Sequence, residues 1–372
     1  MSTSVLSGRA LNRATLARQM LLGRTEETPA GAVARLAGMQ AQEAAPPFVG
    51  LWSRLGGFAA ADLLATLRER RVVRATAMRG TLHLLTAEDF LAWRGPGGDG
   101  ARGVKQALAT LGPRAAGIEP ERVLPVARAL FRERPRTFND ARAALAAAFP
   151  GADERALGFV ARMGVPLVMI PSGDRWGFPA DPVFGLAEDW LGAAPANADA
   201  GPALARSYLA AFGPASPADF AAWSGLTGAK AIFERVQSDL NLIAFRDERE
   251  RELFDLPDAP RPDPETAAPV RFLPAFDNLL LAHDDRSRVI ADEHRPLVVT
   301  KNLRVHPTFL LDGVVAGTWK VERKRVEARL TLAPFAPVPD HLADDLAREG
   351  EALLRWLEPD AGSHLIALAR SS

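Results

Sequence analysis

The strongest constraint in this chain is an order of elements that comes round three times, helical stretches followed by an alternating hairpin. The third instance is the plainest. Residues 204–212 carry a helical pattern, SPADFAAWSG opens a second helix with Ser216 as cap and Pro217 in the first turn, and TGAKAIFERVQSDL continues as a third. LIAFRDERERELFDL then alternates apolar and polar residues around a charged tip, the mark of two strands. The first instance runs through LNRATLARQMLLG, a helix leading to MQAQ, AADLLATLRERR, and strands in VVRATAMRGTLHLL that turn near Arg79 and Gly80. The middle instance has helices near 120–132, 138–148 and 153–163, followed by PLVMIPSGDRWGFP with a turn at SGDR. Helix, helix, helix, hairpin is the layout of a winged helix. The predicted fold is therefore α+β, with three tandem winged-helix units at 1–95, 96–195 and 196–262.

Residues 257–269, rich in proline and charge, read as a linker. After it the pattern changes to short strands, VRFLPAF and FLLDGVVAGTWKV, the second turning at Asp312 and Gly313, and a helix near 340–357. Residues 263–372 are thus expected to form a separate β-rich unit. A chain of 372 residues exceeds what one core usually serves, and 48% hydrophobic with 24% charged residues is a globular composition. There is no apolar run of about 20 residues to span a bilayer. The N-terminus also lacks a secretory pattern, so a cytoplasmic protein with no membrane partner is expected. The absence of cysteine excludes disulfides, iron–sulfur clusters, thiolate nucleophiles and cysteine-ligated zinc. No glycine-rich phosphate loop, serine elbow or HExxH pattern occurs.

Net charge is zero, but it is unevenly spread. Residues 1–110 hold 14 basic and 8 acidic side chains, a balance of +6, whereas residues 201–268 hold 7 and 11, a balance of −4. Arginine supplies nearly all the N-terminal excess, and its planar fork suits phosphate. Within that region the stretch LAGMQAQEAAPP places two glutamines one residue apart. Thr28 caps the preceding helix, Pro29 suits its first turn, and Val33, Leu36 and Met39 share its apolar face. Side chains at i and i+2 diverge on a helix and converge on an extended chain, so Gln40 and Gln42 can meet only beyond the helix end. Pro46 and Pro47 are expected to help end it.

MQAQ at 39–42, RGTLHL at 79–84, FLPAFDNLLLAHDDRSRVI at 272–290 and DGVVAGTW at 312–319 together resemble the winged-helix DNA glycosylases of the AlkZ-like family, named for an azinomycin-resistance enzyme. The resemblance implies a C-shaped scaffold of three winged helices with a C-terminal β-barrel-like domain. It also implies a catalytic signature of Gln, an aliphatic residue and Gln, here Gln40, Ala41 and Gln42, where a second subgroup has Asp in the third position. A carboxamide is neutral and cannot serve as an ordinary general base. Purines alkylated at N7 or N3 need none, because the base is already cationic and leaves readily. The implied activity is monofunctional DNA glycosylase action on cationic alkylpurines in damaged double-stranded DNA. It extends to bulky natural-product adducts or interstrand crosslinks, by a monomer that needs no cofactor and no metal. Gln42 is assigned to placing the water, and Gln40 to stabilising the sugar and orienting that water, with the division between them open.

Arg79, at the expected wing tip beside Gly80, is a candidate DNA contact, and His83 reads equally as a DNA contact or half-buried structure. Arg286 and Arg288, one strand period apart, are expected to face phosphates. His283, Asp284 and Asp285 invite a metal reading, but three adjacent side chains on regular backbone cannot all face one ion. The basic run KVERKRVEARL reads at least as well as a solvated strand face. Two competing functions remain at this level. One is a non-catalytic winged-helix DNA-binding protein such as a transcription regulator, the other the same fold recognising a small molecule or protein.

Overall fold

A computed structural model describes residues 4–94 and 99–369 of the chain. It begins with a two-residue strand, β1 (Val5–Leu6), and a helix, α1 (Gly8–Arg18), capped by the Ser7 side chain. Helix α1 is cationic yet buried, and each buried arginine on it has partners far along the chain. Arg18 forks onto Asp255 with two bonds of 2.8 Å, and Arg13 pairs with Asp312 while donating to the Thr266 carbonyl. Pairing and hydrogen bonding of this kind offset the cost of burying a guanidinium.

The first region continues with α2 (Pro29–Arg35), β2 (Met39–Gln40), α3 (Pro46–Trp52), α4 (Ala60–Arg68), β3 (Val72–Thr76), β4 (Leu82–Thr86) and α5 (Ala87–Trp93). The middle region contains α6 (Asp99–Leu111), α7 (Pro120–Glu133), β5 (Arg136–Thr137), α8 (Phe138–Ala148), α9 (Glu154–Gly164), β6 (Leu167–Met169), β7 (Val183–Leu186) and α10 (Ala187–Leu191). Strands of both regions join one sheet of six, in the order β2-β4-β3-β6-β7-β5, with Ala75 of β3 opposite Val168 of β6. The two regions therefore share backbone pairing across position 95.

The third region is α11 (Gly201–Phe212), α12 (Pro217–Ser224), α13 (Ala229–Asp239), β8 (Ile243–Asp247) and β9 (Glu252–Asp255). A reciprocal box starts α12: Ser216 accepts from the Asp219 amide, and the Asp219 carboxylate accepts from the Ser216 amide. Strand β1 pairs in parallel with β8, Val5 opposite Arg246, so the first residues of the chain complete the hairpin of the third region.

The last region holds β10 (Arg271–Leu273), α14 (Arg295–Val298), β11 (Thr308–Leu311), β12 (Val314–Lys324), β13 (Glu327–Pro334), α15 (Asp340–Leu357) and β14 (Ser363–Leu368). Asp312 and Gly313, with φ of 45° and 80°, make the tight turn between β11 and β12. The five strands lie in chain order and the two outer ones do not pair with each other, so this is an open sheet where a β-barrel-like domain was expected. The physical reason is α15, which lays Leu346, Leu353, Leu354 and Leu357 on the sheet and fills the space a closed barrel would enclose. Gly350 allows that approach, since a Cβ there would stand 3.0 Å from Leu330 Cδ2 and 3.3 Å from Phe272. One apolar cluster runs from Val33 and Phe48 through Leu145 and Val160 to Phe272, Trp319 and Leu354, so the C-terminal sheet shares its core with the first two regions.

Arg54, just beyond α3, is fully buried and forks onto Asp277 with two bonds of 2.9 Å, joining the first region to the last. Arg54→Met should strand the buried Asp277 charge and lower stability by about 3–5 kcal/mol, read as a fall in the urea midpoint at unchanged slope.

Candidate active site

The local chain path sets where the two glutamines lie. Thr28 caps α2 by accepting from the Gly31 amide at 3.2 Å, and the helix stops at Arg35. Ala37 and Gly38, both with positive φ, then reverse the backbone into β2. Pro46 and Pro47 do not end this helix; they occupy the first turn of α3, where a missing N–H costs nothing. Met39, expected on the helix, lies in β2 instead. Gln40 pairs with His83 across β2 and β4, and the Ala41 amide donates to Leu82 O at 2.7 Å. Strand β2 ends at Gln40, and Gln42 follows in a bend after Ala41.

Each carboxamide is oriented by a group that can only donate. Gln40 Oε1 accepts from Arg79 Nη2 at 2.8 Å, and Gln42 Oε1 accepts from the Leu82 amide at 2.8 Å. Both oxygens are therefore identified, and each keeps a second lone pair. Gln40 is 8% exposed, whereas Gln42 is open to solvent. From the C-terminal region Asn278 clamps the backbone of β2, accepting from the Gln40 amide at 3.1 Å and donating to Gly38 O at 2.5 Å. Asn278 is held in turn by its neighbour Asp277, fixed by Arg54. Beside Gln40 these groups, with Gln19, Pro47 and Pro274, line a crevice of about 10 Å³. That is at the lower limit of the room one water needs.

Guanidinium groups surround the pair. Arg74 on β3 donates to Ala41 O at 2.9 Å and to Gln42 O at 3.1 Å, fixing the backbone between and after the glutamines. Arg162 on α9 donates to Thr76 Oγ1 at 3.0 Å, and its charge acts on Arg74. Arg79 donates to Trp223 O as well as to Gln40, and burial with the nearby Arg286 charge lowers it to about 10. Burial and Arg162 likewise lower Arg74 to about 10, so both remain cationic at neutral pH. Gly225, at φ +76°, lies against the Arg79 stem: a Cβ there would stand 3.2 Å from Arg79 Cγ and 3.3 Å from its Cα.

The other residues singled out from sequence are distributed differently. Arg79 lies in the turn between β3 and β4, half-buried against Trp223, and is not a free wing tip. His83 is fully buried, which corrects its reading as a DNA contact; burial and the Arg79 charge push it down to about 3, so it is neutral at ordinary pH. Arg288 is also turned inward, donating to Pro214 O at 3.0 Å, because residues 284–290 form turns and not the strand that would align it with Arg286. Arg286 stays half-exposed, its Nε toward His283 O. His283 meets Phe212 O, whereas Asp285 pairs with Arg249 and Arg251, so these two side chains have separate partners. Along KVERKRVEARL, Lys320, Arg323 and Arg329 pair with Glu322, Glu358 and Glu327. Sequence reasoning missed Arg74, Arg162 and Asn278; the last acts on a residue 238 positions away, and no local pattern marks it.

The family model described as "DNA glycosylase AlkZ-like" matches residues 33–356 of this chain. A curated relative from Streptomyces sahachiroi, described as "Interstrand DNA cross-link repair glycosylase", is 26% identical over 340 residues, 86% of this chain and 88% of that protein. Among solved structures, "Streptomyces sahachiroi DNA glycosylase AlkZ" superposes with a TM-score of 0.75 at 21% identity, over 98% of this chain and 100% of that one. At that identity the structural likeness concerns the fold.

Two predictions follow from the buried groups. Unfolded His83 titrates near pH 6.5 and folded His83 near 3, so the unfolded state holds the extra proton between these values and stability falls as pH drops through that window. His83→Asn should reduce the slope of stability against pH there by about one proton, with no change above pH 7, as read from urea midpoints across pH. Asn278→Leu should leave the Gln40 amide and the Gly38 carbonyl without partners, at about 1–3 kcal/mol for each, seen in the same unfolding measurement.

Proposed function

This chain belongs to the AlkZ-like DNA glycosylases, hydrolases of N-glycosyl bonds, and from that premise we propose that it removes cationic N7- and N3-alkylated purines from double-stranded DNA, with Gln40 and Gln42 as its catalytic residues. The observation that carries this reading is two neutral carboxamides two residues apart, each oxygen fixed by a donor and each with a lone pair left, with guanidinium groups nearby. Gln42 Oε1, solvent-facing and held by a neutral amide, suits a water better than does Gln40 Oε1, which shares a cation's proton. We assign water placement to Gln42 and sugar contact to Gln40.

The bond from C1′ to the base nitrogen breaks with its electron pair going to the base, which is already cationic and departs neutral. The deoxyribose is left as an oxocarbenium ion, stabilised by the amide dipoles. Water oxygen then forms the new bond to C1′, and its proton goes to solvent, since neither amide can hold it. Lacking a carboxylate in the third position of the signature, this site depends on a well-activated leaving group.

The three helix-and-hairpin regions are read as winged helices at 1–95, 96–195 and 196–262, with 263–372 as the fourth unit, arranged as a C-shaped cleft. Bulky adducts and interstrand crosslinks fit this scheme. A base tied to both strands cannot be extruded into a closed pocket, so an open site is needed. The name of the Streptomyces relative supports this range. Arg79, Arg162 and Arg286 supply the positive lining for phosphates, and the enzyme acts as a monomer without a cofactor. A purely DNA-binding regulator is not favoured in a family of glycosylases.

Duplex DNA carrying N7-methylguanine should lose that base on incubation with the wild-type protein, leaving alkali-labile abasic sites. Gln40→Ala and Gln42→Ala should each slow release by about 10²–10³, with duplex affinity changed only a few-fold. Wild-type protein that releases nothing from methylated or crosslinked duplexes would refute the proposal.

A further inference from the structure

The arrangement around Gln40 contains an electrostatic conflict. The reaction builds positive charge on the sugar beside Gln40, yet the group bonded to the Gln40 oxygen is itself a cation, and a second, Arg286, acts on that cation. Among the described residues no carboxylate forms an ion pair with Arg79. Nor can Arg79 readily swing aside, since Gly225 lies against its stem and Trp223 O accepts from its other terminal nitrogen. A guanidinium has five N–H donors. Gln40 and Trp223 take two, and no further bond of the guanidinium is made among the described residues, so part of the fork remains for an anion.

DNA brings that anion with the lesion. We propose that Arg79 is a positioning residue that grips one phosphodiester flanking the damaged nucleotide together with the Gln40 carboxamide, so that backbone placement sets the amide and the phosphate offsets the guanidinium charge beside the forming sugar cation. Undamaged duplex would be held by the same grip, but only a nucleotide with its backbone seated on Arg79 would present C1′ to an oriented Gln40. The inference rests on Gln40 being catalytic, as proposed above, and adds a coupling partner on the substrate.

Single-turnover release of N7-methylguanine from duplexes with one phosphate at a time replaced by neutral methylphosphonate tests it. In wild type, one position next to the lesion should slow release by tenfold or more. Arg79→Met should be slow on the ordinary duplex and show no further loss at that position. Arg79→Lys keeps the charge but not the fork; it should retain near wild-type affinity for undamaged duplex and lose at least tenfold in release at saturating enzyme. Should Arg79→Met fail to fold, as judged by circular dichroism, the lysine variant decides. Wild-type release indifferent to every flanking phosphate, an Arg79→Met enzyme still sensitive at the same position, or an Arg79→Lys enzyme releasing at the wild-type rate would each overturn the coupling. Release by wild type at all is a separate outcome, bearing on the reaction and not on Arg79.

Discussion

The structure depends on a buried ion pair, Arg54 with Asp277, made between side chains 223 positions apart. Both are almost wholly out of water, 1% and 2% exposed at the side chain, so their attraction is largely spent against desolvation. The value of the pair is geometric. Arg54 also donates to the Gln19 and Gly50 carbonyls, so one guanidinium ties the end of α1, helix α3 and the C-terminal region at a single point. The next residue after Asp277 is Asn278, which holds the backbone of Gln40. The ionic knot and the candidate catalytic amide are thus one bonded residue apart.

A similar logic governs charge over the whole molecule. Fourteen basic side chains among residues 1–110 could have made a diffuse positive surface, yet most described arginines have carboxylates of their own, including Arg13, Arg18, Arg24 and Arg35. Those beside the glutamines bond instead to carbonyls, a hydroxyl and an amide oxygen. A chain with zero net charge can in this way keep a local field where polyanion is handled.

How far the chain could be read before its structure was known follows from the range of each interaction. Helices with caps close in sequence, such as Thr28 over α2 and Ser216 over α12, were legible because donor and acceptor lie three residues apart. Hairpins with short turns were legible too, as at Asp312 and Gly313. Pairing across distance was not: the β1 to β8 ladder, the β3 to β6 join and the parallel β14 leave no local trace. The same division runs through the site. The end of the helix before Gln40 was legible because it depends on nearby residues, while the burial of His83 and Arg288 depends on what packs over them from elsewhere. Pro46 and Pro47 mark a boundary correctly, but proline near a helix fits a beginning as well as an end, and the composition of the stretch does not say which.

The cationic helix α1 has a bearing on how the chain acquires its shape during synthesis. Its arginines emerge from the ribosome well before their carboxylate partners, Asp255 lying 237 residues beyond Arg18 and Asp312 lying 299 beyond Arg13. Until then α1 has no reason to bury its charges, and β1 has no edge at Arg246 to join. Such long sequence separations slow the final docking and leave the early segments waiting in a loosely held state. Helix α1, made before its partners, is among the last elements to lock.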